Sequence, residues 1–592
     1  MRTRFEPGRR PAAGSRLTGV LLLLAAATPA YAQGVWMAAD TRAVVDATTV
    51  LTLAPDLSHL SAGERAAVEK LLEAGRIFQE LYEDQNHPDA AWARANLVED
   101  SDEALLYRLY RGPIGTSSSN QRAPFLPVRP ETPGKNVYPV DVTRVELEAW
   151  LSARPSERDE LLDVRRVVRR ATAAELDLDL AVLGANPGLA LLHPELATRL
   201  RALRERPSEQ AFYSVPYALA YADRLLRIRV LLRAAADAVA AEDGDFAAYL
   251  RLRADDLLTS RYEAGDAAWV SGSFGNLNAQ IGSYETYDDA LYGTKAFYSL
   301  SLLARDRARS DELAAALTDI QELENSLPYD RTKRVRSQIP VGVYNVIADF
   351  GQARGTNTAT ILPNDPDHAR KYGRTILLRY NIMTEPTLFA SAQGRFCAAM
   401  AEVYCDDLTM GGNFERTLWH EIGHYLGVDR TVDGRTLDDA LASVSNLYEE
   451  MKADLVSLFS ARSLHASGYL TDDELRAVYA SGILRVLQSG EPRRDQPYQT
   501  MQLMQWNWYM DQGLLSLEGG RLSVHYDRYH DAVASLLREV LAIQSAGDPA
   551  RAEAFVDRWT TWSSEVHGAV ARRVAGAPGG GIRLVRYAAL DG

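Results

Sequence analysis

Apolar residues recur at three- and four-residue intervals over most of this chain, and that spacing predicts a largely helical protein. The first such stretch runs from Ser61 to about Glu83. It opens on Ser61-Ala62-Gly63-Glu64, a capping box in which a hydroxyl and a carboxylate each satisfy a free backbone N–H. Helical spacing returns from Val142 to about Tyr262, including Tyr217 to Ala241, rich in Ala, Leu and Arg, and Phe246 to Leu258. The alternating Arg and Leu positions there read as a solvated face over a packed one rather than a basic binding strip. The pattern breaks twice. Arg111 to Pro139 contains Gly112-Pro113, Ser117-Ser118-Ser119 and Pro133-Gly134 and predicts an extended loop. Val341 to Asp349 and Thr375 to Asn381 are rich in β-branched and aromatic residues and predict strands, so the chain is mainly α with a small central β element. Ala577-Pro578-Gly579-Gly580-Gly581 marks a linker before Ile582 to Gly592, which is expected to pack back as a strand.

At 592 residues the chain exceeds what one hydrophobic core usually serves, and two lobes with a cleft between them are expected. Five Arg residues precede an apolar run from Leu17 to Ala27 and the small-residue site Ala30-Tyr31-Ala32, which reads as a secretory signal over residues 1–32. The run is too short for an ordinary membrane span, so no stable membrane insertion is expected after cleavage before Gln33. An exported protein follows, periplasmic or secreted. Loss of the signal moves the formal charge from −14 to −18, since it removes five Arg and one Glu. That balance speaks against general binding to nucleic acid or anionic lipid. The two cysteines, Cys397 and Cys405, either pair in an oxidising compartment and staple the loop that follows, or stand as buried thiols. They lack the C-x-x-C spacing of a zinc site.

The chemistry concentrates in His420-Glu421-Ile422-Gly423-His424 and Glu449-Glu450-Met451-Lys452-Ala453-Asp454. On a helix, His420 and His424 share a face, with Glu421 beside them as a base. Gly411-Gly412 are expected to break the chain before this helix, Asn413 to cap it and Gly427 to end it. Glu450 and Asp454 lie four apart on a second helix expected from Asp438 to roughly Ser460. A hydrolytic zinc takes three nitrogen and oxygen ligands and keeps a fourth position open for water. His420, His424 and Glu450 fit that set, with Asp454 and Glu449 placed to orient the two imidazoles. The competing reading is a pair of solvated helix faces.

These runs, together with Ser283-Tyr284-Glu285-Thr286-Tyr287, Gly293 and Leu362-Pro363-Asn364-Asp365, in this order and at these separations, resemble the dipeptidyl peptidase III family of zinc peptidases. The likeness is to its shorter bacterial and plant-like members, and it spans most of the chain. Weaker matches include Tyr110-Arg111-Gly112-Pro113, Pro133 to Pro139 and Leu537 to Leu541. The resemblance implies a two-lobed fold with a wide interlobe cleft and a small β-barrel. Residues 33–305, 342–391 and 577–592 would then form the first lobe, and 306–341 and 392–576 the zinc-binding one. It also implies one zinc per chain and short peptide substrates. Glu285 would hold the substrate's α-ammonium, Tyr287 the reacting carbonyl, and Asn364 the N-terminal part of the peptide. Two positions depart from the family pattern: Ile361 stands where a further Asn is usual, and Tyr498 where a His tends to occur. Tyr498 would contact substrate in its place. The expected function is a zinc exopeptidase releasing dipeptides, with Glu421 as base. A peptidase with an altered cleavage rule, an aminopeptidase or oligopeptidase, is the alternative, as is a peptide-binding protein with little catalysis. The remaining histidines, His193, His368, His525, His530 and His567, read as surface or satisfied structural residues.

Overall fold

The computed structural model describes residues 36–330, 333–335, 340–353, 357–363, 365–494, 496–577 and 581–591. The secretory signal expected over 1–32 and the site residue Asn364 lie outside these. The capping box forms: Ser61 Oγ accepts from the Glu64 N–H at 3.0 Å, and Glu64 accepts from the Ser61 N–H at 2.9 Å. It opens helix Ala62–Asn86, whose fully buried Leu71, Phe78 and Leu81 form the packed face. Each such side chain contributes about 1.5–3 kcal/mol through the apolar surface it removes from water.

Two large hydrophobic cores organise the chain. One gathers residues between Leu53 and Ala304 and much of strand Val341–Gly351. The other gathers residues between Leu313 and Val335 and between Met383 and Val574. The central sheet is a wall between them. Along Thr375–Arg379, Leu377 points into the first core while Ile376 and Leu378 point into the second, the two-residue alternation of a strand buried on both faces. Val346 and Val343 divide the same way on the neighbouring strand.

The sheet has five strands in the spatial order Leu277–Ser283, Tyr298–Arg305, Val341–Gly351, Thr375–Arg379 and Ala359–Leu362. All neighbours are antiparallel except Val341–Gly351 and Thr375–Arg379, which run parallel. The expected β-barrel is therefore corrected: the outer strands do not pair with each other, and among the described residues the sheet stays open. Closure needs every strand edge hydrogen-bonded. Here side chains of two helices span the gap instead.

Other departures are local. The stretch from Val142 to Tyr262 is not wholly helical, because Arg166–Ala171 and Ser208–Pro216 pair as antiparallel strands. Val167-Val168 and Phe212-Tyr213 carry that β preference in runs too short to stand out among Ala, Leu and Arg. The loop 111–139 holds a small hairpin, Ile114–Thr116 with Arg122–Pro124. Ile582–Tyr587 packs back as a strand, parallel to Thr48–Leu53. Cys397 and Cys405 are joined as a disulfide, tying helix Pro386–Ala399 to the 3-10 turn Glu402–Asp407 ahead of the H-E-x-x-H helix. No helix among the described residues is long and apolar enough to cross a membrane.

Candidate metal centre and active site

The H-E-x-x-H run lies on helix Met410–Gly423. Its cap is Thr409, whose hydroxyl accepts from the Gly412 N–H at 3.0 Å; Asn413 instead accepts from the Ser481 hydroxyl at 2.9 Å. Gly411 and Gly412 belong to the first turn rather than breaking the chain. A Cβ on Gly412 would lie 2.5 Å from the Ala477 backbone, so this glycine serves close helix packing. The helix ends at Gly423, ahead of Gly427. Gly423 has a similar duty: a Cβ there would stand 2.9 Å from the Ala453 carbonyl oxygen, in the helix that carries Glu450. That second helix is Ser445–Ala466, set off from the short helix Leu437–Leu441 by a 3-10 turn, rather than one continuous element from Asp438.

This packing brings one ligand atom each of His420, His424 and Glu450 within 4.8 Å of one another. The imidazole rings are 4.9 Å apart and nearly perpendicular. On His420, Nδ1 lies 2.8 Å from Asp454 and Nε2 lies 3.4 Å from Glu450 Oε2. On His424, Nδ1 lies 3.0 Å from Glu449 Oε1. Each imidazole thus has a carboxylate at Nδ1, the arrangement that orients metal-ligating histidines, and His420 turns Nε2 toward Glu450. Two nitrogens and a carboxylate oxygen converging this way suit zinc. Half-buried Glu421 lies beside them on the same helix.

The supporting charges include three residues that the motif spacing did not reveal. Arg416 and Arg485 contact the two oxygens of Asp454 at 3.0 and 3.2 Å. Burial pushes the Asp454 carboxyl up, but Arg485, His420 and Arg416 outweigh it and hold it well below the usual range. Lys452, itself buried, donates to Glu449 at 2.8 Å. With His424 it overrides burial and brings the Glu449 carboxyl down to about 2. Their signal was position alone: Arg416 one helical turn before His420, and Lys452 three residues after Glu449. On the same helix Glu415 is pushed up to about 7 by burial, against the Tyr469 hydroxyl that donates to it at 3.1 Å. Its folded value exceeds its unfolded one, so ionising it opposes folding increasingly from about pH 4.5 to 7. Glu415→Gln should therefore gain thermal stability over the native chain as pH rises from 5 to 8. A gap between melting temperatures that does not widen over this range would overturn that assignment.

Tyr498, at the start of helix Pro497–Asp511, donates its hydroxyl to Glu450 Oε1 at 3.0 Å. Burial and then the Glu450 carboxylate push its phenol up to about 12. Glu285 and Tyr287 lie on the loop after strand Leu277–Ser283. Tyr287 is 79% exposed as a residue, yet desolvation of its hydroxyl and a hydrogen bond with Glu285 raise its phenol, and Tyr498 adds to the shift. The loop is held on both flanks. Arg165 donates to the Ser283 carbonyl at 2.9 Å, and Asp289 accepts from the N–H groups of Leu291, Tyr292, Thr294 and Lys295. Ile361 is on the outer strand opposite Ile376. Among the other histidines, Nε2 of His193 meets the Leu258 carbonyl and Nδ1 of His567 accepts from the Ser563 N–H. His368 is one of the satisfied structural ones, contacting buried Asp266 at 2.8 Å.

Two solved structures resemble this one across nearly the whole chain. DPP III from Caldithrix abyssi matches with a TM-score of 0.77 at 22% identity, covering 93% of this chain and 99% of that one. Dipeptidyl-peptidase III from Corallococcus sp. strain EGB matches with a TM-score of 0.68 at 23% identity, covering 94% and 98%. The chain has the dipeptidyl peptidase III fold. No family model matches the sequence. Nudix hydrolase 3 of Arabidopsis thaliana is 24% identical over 560 residues, 86% of this chain and 69% of that protein. In the dipeptidyl peptidase III fold of this chain, the candidate ligands His420, His424 and Glu450 all lie in the second hydrophobic core's part of the chain, and Glu285 in the first.

Proposed function

We propose that this protein is an exported, zinc-dependent exopeptidase that cleaves near the N-terminus of short peptides and releases dipeptides. The observation that carries the reading is the convergence of His420, His424 and Glu450 beside Glu421, on this fold. Zinc, when bound, supplies a Lewis acid that acidifies a water and polarises the scissile carbonyl. Glu421 takes the proton from the attacking water and hands it to the leaving amine. Tyr287 donates its hydroxyl to the oxygen that gains charge, exchanging its hydrogen bond with Glu285 for that one. Glu285 pairs with the substrate's α-ammonium, so that cleavage is measured from the N-terminus. Tyr498 holds Glu450 by one oxygen and leaves the other turned toward His420.

Mass spectrometry of a mixed peptide library tests this directly. N-terminal dipeptides should appear with zinc and vanish on chelation, and N-acetylated copies should resist. Products that survive chelation would sink the metal reading. Single residues or internal fragments would replace the dipeptide rule with an altered one.

A further inference from the structure

The outer strands of the central sheet, Leu277–Ser283 and Ala359–Leu362, leave a seam that no backbone hydrogen bond closes among the described residues. The helix before the first and the helix after the second nevertheless meet. Lys371 and Tyr372 donate to Glu263 at 2.7 and 2.9 Å, and His368 Nδ1 lies 2.8 Å from Asp266 Oδ2. The two contacts to Glu263 are exposed and solvent-screened. The third is not, because Asp266 is 1% exposed.

Asp266 faces both ways across the seam. Its Oδ1 accepts from the Tyr284 hydroxyl and from Arg253, each at 2.6 Å. Tyr284 is the residue before Glu285. Arg253 is shared with a second carboxylate, Asp256, at 3.4 Å. One guanidinium thus serves two buried acids, and the second oxygen of Asp266 depends on His368. A carboxylate only accepts, so Nδ1 carries the proton between them. His368 is in turn tied to the turn before it, where Asp365 Oδ1 accepts from the N–H groups of Asp367 and His368 at 2.9 and 3.1 Å.

We infer that Asp266 and His368 are positioning residues, a joint across the open seam that fixes the segment 283–287 relative to the arm 365–372. A barrel would hold those two edges with a ladder of backbone bonds. This chain holds them with one buried side-chain pair, so the loop bearing Glu285 and Tyr287 takes its position partly from a helix more than eighty residues downstream. The consequence for substrate rests on the peptidase reading above.

The test uses the full chain with His368→Ala, which leaves Arg253 and Asp266 paired, and His368→Asn, which keeps an N–H near the Nδ1 position. In hydrogen–deuterium exchange, His368→Ala should raise exchange in both 365–372 and 283–289, and His368→Asn should restore protection in 283–289. Faster exchange confined to 365–372 would overturn the joint. With a free-N-terminal peptide, kcat/KM should fall about tenfold in His368→Ala and recover in His368→Asn, because the displaced segment carries both Glu285 and Tyr287. A kcat/KM equal to the native value in His368→Ala would overturn the link to substrate. If the native protein turns over no peptide, the peptidase reading fails and exchange alone decides the joint.

Discussion

Replacing Glu421 by Gln should lower peptide turnover by about 10²–10⁴-fold while leaving the bound metal in place. The substitution keeps the side chain's size and removes only its ability to take a proton. His420, His424 and Glu450 are untouched by it, and the carboxylates behind the imidazoles, Asp454 and Glu449, stay in contact with them. Metal analysis alongside steady-state kinetics separates the outcomes. Loss of turnover with metal retained is expected. Turnover near the native rate would remove Glu421 from the reaction, and loss of metal would show that its role is to build the site.

The second large effect is expected at Asp454, directly behind the candidate metal ligand His420. Its carboxylate is 1% exposed and meets His420, Arg416 and Arg485 at 2.8, 3.0 and 3.2 Å. Asp454→Ala leaves Arg416 buried without its counter-charge and His420 without the group that orients it. Breaking a buried ion pair from one side costs about 3–5 kcal/mol, and loss of a partner behind a ligating histidine costs about 10–100-fold in metal affinity. Denaturant unfolding and zinc titration read the two effects separately. The pH dependence has a definite sign. The folded carboxyl is held below its unfolded value, so its stabilisation is fully present above about pH 4 and fades as pH falls toward the folded value. The gap in stability between native and Asp454→Ala should therefore shrink on acidification. A constant gap from pH 7 to pH 3 would overturn this account.

Local pattern carried much of the fold. Ser61 to Glu64 announced a helix start because a capping box is satisfied within four residues. The strands near Val341 and Thr375 were legible from β-branched residues. The pair Arg166–Ala171 and Ser208–Pro216 was not, since the partners are about forty residues apart and neither run is long enough to outweigh its helical surroundings. The barrel expectation failed for a similar reason. Whether an outer strand finds a partner depends on the curl of the sheet and on what covers its edge, and neither is written in the strand's own residues.

The same division holds at the site. The spacing of His420, Glu421 and His424 follows from helix geometry, and so did the placement of Glu450 and Asp454 on a second helix. Periodicity sets which residues share a face. It does not set how closely two faces approach, and here that is decided by Gly423, where any side chain would strike the backbone of the helix that carries Glu450. Nor could spacing show that Arg416, Arg485 and Lys452 supply the cations behind Asp454 and Glu449, because a helix presents many such residues to solvent. By itself, then, the sequence determined the candidate ligands and the candidate base, whose spacing within each helix is local. Only the tertiary structure decided the packing that makes those residues converge, the open seam in the sheet, and the Asp266–His368 contact across it, because each depends on segments brought together through space.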